Sequence, residues 1–338
     1  MSLRHVTSLR HLPTGLPVEL AERAIALKDG ADTDLLEDAL MIGLFLNPSL
    51  RTRMSFETAM MRFGGQFSAL SAGGDMWQLA TGNAPMKGDA AEHIEEAIGV
   101  LSRYADVIGL RTFAGLKKWA VDLEDTVIKS AVAVAERPVI SMESAMDHPC
   151  QGLADLMTLR EEFGPNPAGK NFVLTWTPHV KQLPMAVPNA AVQAAALAGM
   201  NVTVACPSGY DLPENVMNWV AETAEANGNS VEVTDDQVEA CVNADVVYAK
   251  SWTPMRYYGR KGGATADFKR FSDWTVTEDI LGDETRFMHC LPIRRGVVAE
   301  TEVIRGDRSL IFDQAENRMW AQTALLEWVL DGEEEDED

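Results

Sequence analysis

Cysteine is scarce in this chain of 338 residues, which has only Cys150, Cys206, Cys241 and Cys290. They lie far apart and form no CxxC pair, so neither a zinc site nor a disulfide framework is indicated and reduced thiols are expected. No apolar run approaches the length needed to cross a bilayer, which excludes a membrane partner. Basic residues are also few, 29 Lys and Arg against 51 Asp and Glu, for a net charge of −22. That balance excludes a general nucleic-acid binder, because affinity for the phosphate backbone rests on clustered Lys and Arg. The start, Met1-Ser2-Leu3-Arg4-His5, lacks the basic, apolar and small-residue segments of a secretory signal, and a cytoplasmic location is expected. No GxGxxG follows a strand, so a nicotinamide cofactor is unsupported and no cofactor or metal is expected.

The apolar fraction of 46% and charged fraction of 24% are those of a globular protein, and the length suits two domains with a cleft between them. The tail from Asp331 to Asp338 carries seven negative charges and reads as disordered, leaving −15 elsewhere. The acidity is therefore a property of the whole surface, in keeping with a salty cytoplasm. An anionic substrate would then need a local basic pocket.

Along the chain, helical spacing over 17–29 stops at Gly30, and the apolar run 39–46 predicts a strand buried on both faces. A helix over 53–63 ends at Gly64-Gly65. Strands near 67–70, 106–110 and 138–142, with a helix over 93–104, continue the alternation. After a helix that runs from His148-Pro149 to about Phe163, the pattern restarts with strands at 171–176, 201–205, around 231 and at 245–248. The helices between them are expected at 186–199, 213–227 and 236–243, and a last helix at 315–330. Such alternation predicts parallel α/β sheets, here two. The expected division is 1–150, 151–312, a C-terminal helix 313–330 that returns to the first domain, and the tail 331–338.

Gly164 to Asn171 has Walker A spacing. Asn171 stands where Ser or Thr would bind magnesium and the loop precedes a strand, so it reads as a turn. The segment Ser49-Leu50-Arg51-Thr52-Arg53 is different. It follows a strand and opens a helix, where unpaired backbone N–H groups and the helix dipole favour a phosphate. Arg51 and Arg53, two apart, should point in different directions, one at the anion and the other into an ion pair. Alone, these residues fit an N-capping serine with surface arginines equally well.

The wider line removes that ambiguity. Phe45 to Glu57, His148-Pro149-Cys150-Gln151 and His289-Cys290-Leu291-Pro292 together resemble the aspartate and ornithine carbamoyltransferase family, from about residue 39 to Arg318. The closer likeness is to its N-acylornithine branch, through Leu174 to Pro184, Tyr248 to Trp252 and Ala315 to Arg318. The Ser-Met-Gly loop of the ordinary ornithine enzymes is absent.

The resemblance implies two doubly wound α/β domains, with a trefoil knot in the second where Pro178 to Pro184 lies around a later segment. It also implies a homotrimer with shared active sites, and a carbamoyl transfer from carbamoyl phosphate to the δ-amine of an N-acylornithine in arginine biosynthesis. Ser49, Leu50, Arg51, Thr52 and Arg111 would hold the phosphate. His148 and Thr52 would bond the carbonyl oxygen, and Gln151 the carbamoyl amine. Cys290 and Leu291 would lie where the carbamoyl group meets the amine, with Arg318 closing that end and Trp77 reaching a neighbour's site. The acceptor would be taken by Glu143, His179, Lys181, Lys250 and Arg294, with Ala91 beside the acyl group.

In acetylornithine enzymes a glutamate is expected at the place of Ala91 and a lysine at that of Val298. Their absence favours N-succinylornithine, because a glutamate would repel the succinyl carboxylate. N-acetylornithine stays open as the alternative. So do a phosphate-binding relative without turnover, against which the intact motif residues speak, and an aspartate enzyme, which would need a lysine in the Trp77 loop.

Overall fold

The computed structural model describes residues 3–82, 84–260 and 262–331, and the expected disorder of the tail beyond Asp331 lies outside the described residues. The chain divides into two units. One comprises Met1–Ala114, Ala120–Cys150 and the segment from Arg318 onward, and the other Gly115–Trp119 and Gln151–Asn317.

The first unit begins with α1 (Leu16–Lys28), β1 (Leu40–Phe45), α2 (Arg51–Arg62) and β2 (Gln66–Ser71). The short strands β3 (Leu79–Ala80) and β4 (Glu92–His93) pair with each other. Then come α3 (Ile94–Leu101), β5 (Val107–Arg111), α4 (Trp119–Leu123), α5 (Thr126–Val134) and β6 (Val139–Glu143). All four long strands are parallel, in the order β2-β1-β5-β6. The chain adds β2 on one side of β1 and β5 on the other, so the strand order reverses between β1 and β5. Ligands of open α/β sheets bind beyond the carboxyl ends of the strands at such a point.

One face of this sheet is a core of Ile42, Leu44, Ile108, Leu110 and Val139 packed against Ile94 and Ile98 of α3 and Ile128 of α5. Burial of each such side chain stabilises by roughly 1.5–3 kcal/mol. β1 is buried along almost its whole length, as its unbroken apolar run requires. The crossover helix α5, together with α4, has no counterpart among the expected elements, because its Thr, Val and Ile content blurs the helical signal. Strands β3 and β4 were also not expected, being too short to show a period.

The chain passes into the second unit within α6 (Pro149–Phe163). There follow β7 (Asn171–Trp176), α7 (Ala186–Leu197), β8 (Asn201–Ala205), α8 (Glu214–Ala226), β9 (Val231–Thr234), α9 (Gln237–Val242) and β10 (Val246–Lys250). Next are α10 (Gly263–Arg270), the three-residue β11 (Arg286–Met288), α11 (Thr301–Arg305) and α12 (Ile311–Leu330). Sheet order is β11-β10-β7-β8-β9, again all parallel, and the reversal falls between β7 and β10. Helix α7 is buried from Ala186 to Ala196; its many alanines let it approach β7 and α8 closely without wide side chains to house. The Pro178 to Pro184 loop is bonded to a later segment: Gln182 Nε2 donates to the carbonyls of Tyr257 (3.0 Å) and Arg260 (3.2 Å), and Leu183 and Thr253 exchange bonds.

Helix α12 starts four residues earlier than the pattern suggested, with Ile311 buried in its first turn. Its part from Arg318 onward belongs to the first unit, where Glu327 takes both Nε and Nη2 of Arg23, at 2.8 and 2.6 Å. No helix among the described residues is long and apolar enough to cross a membrane.

Gly43 lies in the middle of β1, and a Cβ there would stand 2.6 Å from Cζ of Phe67 on β2. Gly43→Ala should therefore destabilise the protein by about 1–3 kcal/mol through overpacking. A denaturation midpoint equal to that of the parent would refute this account of the sheet.

Candidate active site

In the first unit the polar residues gather where β1 and β5 end. Phe45 and Arg111 are register partners there, and Ser49 lies four residues past the end of β1. Ser49 Oγ accepts from the Thr52 N–H at 3.2 Å, which fixes the first turn of α2. A cavity of about 190 Å3 is lined by Leu46, Asn47, Pro48, Ser49, Arg53 and Ser71 among others. Arg53 lines this cavity, and the half-buried Arg51 opens the helix. Leu50 is exposed at the α2 start.

Thr52 is the hub. Its hydroxyl oxygen accepts from Arg111 Nη1 at 3.3 Å and from Arg318 Nη2 at 3.1 Å, and all three residues are buried. With both lone pairs engaged, its own proton must point elsewhere, toward an acceptor. Arg111 also donates to the Met142 carbonyl (3.2 Å), pairs with Glu143 at 2.8 Å and stands over the Phe113 ring, while its Nε is buried without a partner. His148 Nε2 lies 3.7 Å from the same Glu143 carboxylate. Glu143, expected to meet the acceptor amine, is here the counter-charge of Arg111. Its φ of 148° is a conformation that side-chain-bearing residues rarely hold. Cys150 is fully buried, and burial pushes its thiol up to about 11 despite the nearby charges of Arg318 and Arg111.

Trp77 is 56% exposed, and its indole N–H donates to the Glu92 carboxylate at 2.9 Å. Ala91 is exposed immediately before β4, so the β3 and β4 pairing and this bond hold Trp77 and Ala91 in one small substructure.

In the second unit the expected acceptor-binding residues gather near the carboxyl ends of β7 and β10, where Trp176 and Lys250 are register partners. A pocket there is lined by Trp176, His179, Lys181, Tyr210, Ser251 and Trp252. His179 and Arg294 meet: Arg294 Nε donates to His179 Nε2 at 3.0 Å. The ring's Nδ1 lies 3.0 Å from both the carbonyl and the N–H of Lys181; with Nε2 accepting from Arg294, a neutral imidazole carries its proton on Nδ1 and donates to the carbonyl, which leaves the Lys181 N–H contact unused. Burial lowers the His179 pKa; the Lys181 carbonyl opposes this, and the charges of Arg294, Lys250 and Lys181 add to it. The structure thus assembles His179, Lys181, Lys250 and Arg294 around one point. Half-buried Cys290 precedes Leu291, which has a φ of 55° and a cis bond to Pro292, and whose N–H donates to His289 Nδ1 at 2.8 Å. Val298 is buried.

Sequence reasoning missed what lies behind these residues. Gln151 Nε2 donates at 2.7 Å to the fully buried Asp155, one turn later on α6, and Gln314 Nε2 donates to the same oxygen at 2.6 Å. The four-residue spacing of Gln151 and Asp155 was the available signal.

The His179 ring should titrate below its ordinary 6.5. Arg294→Ala, which removes one of the opposing cations, should move that value back up in a histidine NMR titration. An unchanged value would mean that the two side chains do not meet.

Two family models match this chain: the carbamoyl-P binding domain of aspartate/ornithine carbamoyltransferase over residues 4–161, and the Asp/Orn binding domain over 185–329. N-acetylornithine carbamoyltransferase of Xanthomonas campestris pv. campestris is 38% identical over 332 residues, 96% of this chain and 97% of that protein. N-succinylornithine carbamoyltransferase of Bacteroides thetaiotaomicron is 33% identical over 302 residues, 88% of this chain and 90% of that protein. Among solved structures, a glutamate-to-alanine mutant of N-acetyl-L-ornithine transcarbamylase, complexed with carbamyl phosphate and N-succinyl-L-norvaline, superposes with a TM-score of 0.93 at 37% identity, covering 97% of this chain and 100% of that one. The two matched domains account for most of the sequence, and the chain belongs to the aspartate/ornithine carbamoyltransferase family.

Proposed function

We propose that the protein transfers the carbamoyl group of carbamoyl phosphate to the δ-amine of an N-acylated ornithine, with N-succinyl-L-ornithine preferred, giving the N-acylcitrulline and phosphate. The observation that carries the choice of acceptor is the grouping of His179, Lys181, Lys250 and Arg294. A basic pocket of this kind suits carboxylates, of which a succinylated ornithine brings two, and does not suit the ammonium of an unprotected α-amino group.

On this reading Ser49, Leu50, Arg51, Thr52 and Arg111 hold the phosphate. The proton of Thr52, turned outward by its two guanidinium donors, bonds the carbamoyl oxygen together with His148, and Gln151 takes the carbamoyl amine. The uncharged δ-amine attacks the carbonyl carbon. A new N–C bond forms, the C–O bond to phosphate breaks, and one amine proton leaves with the phosphate. Polarising the carbonyl and neutralising the departing phosphate are the tasks left to the protein, which needs no nucleophile of its own. Cys290 and Leu291 border the reacting groups, and Arg318 holds Thr52.

The exposed Trp77 suits a role in a neighbouring subunit's site within a homotrimer. The bonds from Gln182 and Leu183 to 253–260 favour the knotted path. N-acetylornithine is the second reading, favoured by the higher identity to the Xanthomonas enzyme. Against it stands Ala91. The glutamate-to-alanine mutant crystallised with a succinylated compound supports the idea that loss of a glutamate at this place opens the pocket to a succinyl group.

The test is a carbamoylation assay with carbamoyl phosphate and, separately, ornithine, N-acetylornithine, N-succinylornithine and aspartate. Turnover should be fastest with the succinylated acceptor, and absence of turnover with all four would sink the enzymatic reading. Ala91→Glu should lower kcat/KM for N-succinylornithine by about tenfold or more, the effect of a like charge worth roughly 1.4 kcal/mol, and spare N-acetylornithine. Equal losses for both would place the acyl group elsewhere.

A further inference from the structure

Beneath Gln151 and Cys290 lies a buried polar network that none of the roles above uses. Asp155 is fully buried, and one of its oxygens accepts from two side-chain amides, Gln151 Nε2 at 2.7 Å and Gln314 Nε2 at 2.6 Å. Gln314 Oε1 in turn accepts from the backbone N–H of His289 at 3.0 Å, and His289 Nδ1 accepts from the N–H of Leu291 at 2.8 Å. Gln151, Gln314 and His289 are each at most 2% exposed. The fully buried Tyr248 phenol is held well above its ordinary pKa by burial first and then by Asp155.

An ionised carboxylate only accepts hydrogen bonds, whereas a primary amide can present either its oxygen or its NH2 group. An amide beside Asp155 must therefore turn its NH2 toward the carboxylate and its oxygen away. For Gln151 that orientation aims an acceptor outward, which is what the donating amine of a carbamoyl group requires. For Gln314 it aims the oxygen at His289, which fixes the peptide leading to Cys290 and the strained Leu291. One carboxyl oxygen thus orients two amides by accepting from both.

We propose that Asp155 is a positioning residue that sets which end of the Gln151 amide faces the carbamoyl group, and that through Gln314 and His289 it fixes the peptide carrying Cys290. This rests on the assignment of Gln151 to the carbamoyl amine. Asp155→Asn should act as an amide-orientation defect, because asparagine offers both a donor and an acceptor and no longer dictates the turn of Gln151.

The experiment compares carbamoyl phosphate with acetyl phosphate, which keeps the phosphate and carbonyl but carries a methyl in place of the amine. In Asp155→Asn, KM for carbamoyl phosphate should rise about tenfold, the scale of one misoriented hydrogen bond, while inhibition by acetyl phosphate stays within about twofold of the parent. In a Gln151→Ala background the same substitution should add less than about threefold, because residues acting through one another are not additive. Asp155→Glu, which retains an acceptor-only group, should recover part of the loss and supplies the same comparison if the asparagine variant does not fold. Equal weakening of both acyl phosphates, or full additivity with Gln151→Ala, would show that Asp155 serves only the fold and overturn the proposal. A parent protein that transfers no carbamoyl group at all would instead refute the functional reading on which the proposal stands.

Discussion

The Thr52 hydroxyl takes hydrogen bonds from two buried guanidiniums, and much of the first unit is arranged so that it can. Arg111 arrives at the end of β5, Thr52 in the first turn of α2, and Arg318 on α12, from places 59 and 266 residues away along the chain from Thr52. Two cations brought this deep are costly unless paired or held ready for an anion. Glu143 answers Arg111 directly, and Met142 contributes a carbonyl. What remains is a hydroxyl that can still donate, beside positive charge and a helix N-terminus, an arrangement suited to a phosphorylated carbonyl compound.

The same topological device operates in each unit. Parallel strands place all their carboxyl ends on one edge, and a reversal of strand order leaves a gap there that no crossover helix fills. In the first unit that edge holds Arg111 and the α2 start; in the second it holds Trp176, His179 and Lys250. Backbone strain collects at the same places. Glu143 at the end of β6 and Leu291 beyond β11 both have positive φ, a cost on the order of 1–3 kcal/mol each, and both are tied down, Glu143 by Arg111 and Leu291 by His289. The networks that hold them are buried, which explains why hydrogen bonds rather than loop packing set the positions of these groups.

How legible this was in the sequence depended on whether a feature is local. The β1 run, the alanine-rich α7 and the Ser49 to Arg53 turn announce themselves through period and flanking residues, and their chemistry follows from residue type. The three-residue β11 and the paired β3 and β4 have no period to detect, and they form because longer strands or bonds such as Trp77 to Glu92 support them. Glu143 shows a different limit. Its chemistry suggested an amine partner, and its pairing with a guanidinium, which the sheet register brings about by setting it beside Arg111, could not be read from residue type. Asp155 was only partly legible for a similar reason: one partner is four residues away, yet the other, Gln314, is 159 residues distant.

Charge presents the last apparent contradiction, since a protein of net charge −22 is assigned two anionic substrates. The conflict dissolves with distance. Exposed charges are screened beyond about 8 Å at physiological ionic strength, so the acidic surface contributes little at a partly buried pocket, where nearby groups act at lower effective dielectric. At His179 burial first, and then the charges of Arg294, Lys250 and Lys181, lower the ring's pKa, with the Lys181 carbonyl opposing, which favours the neutral ring that accepts from Arg294. On the proposed reading, an acceptor that brings a second carboxylate suits this cluster of cations better than one that brings a single carboxylate, which is the physical argument for N-succinylornithine over N-acetylornithine.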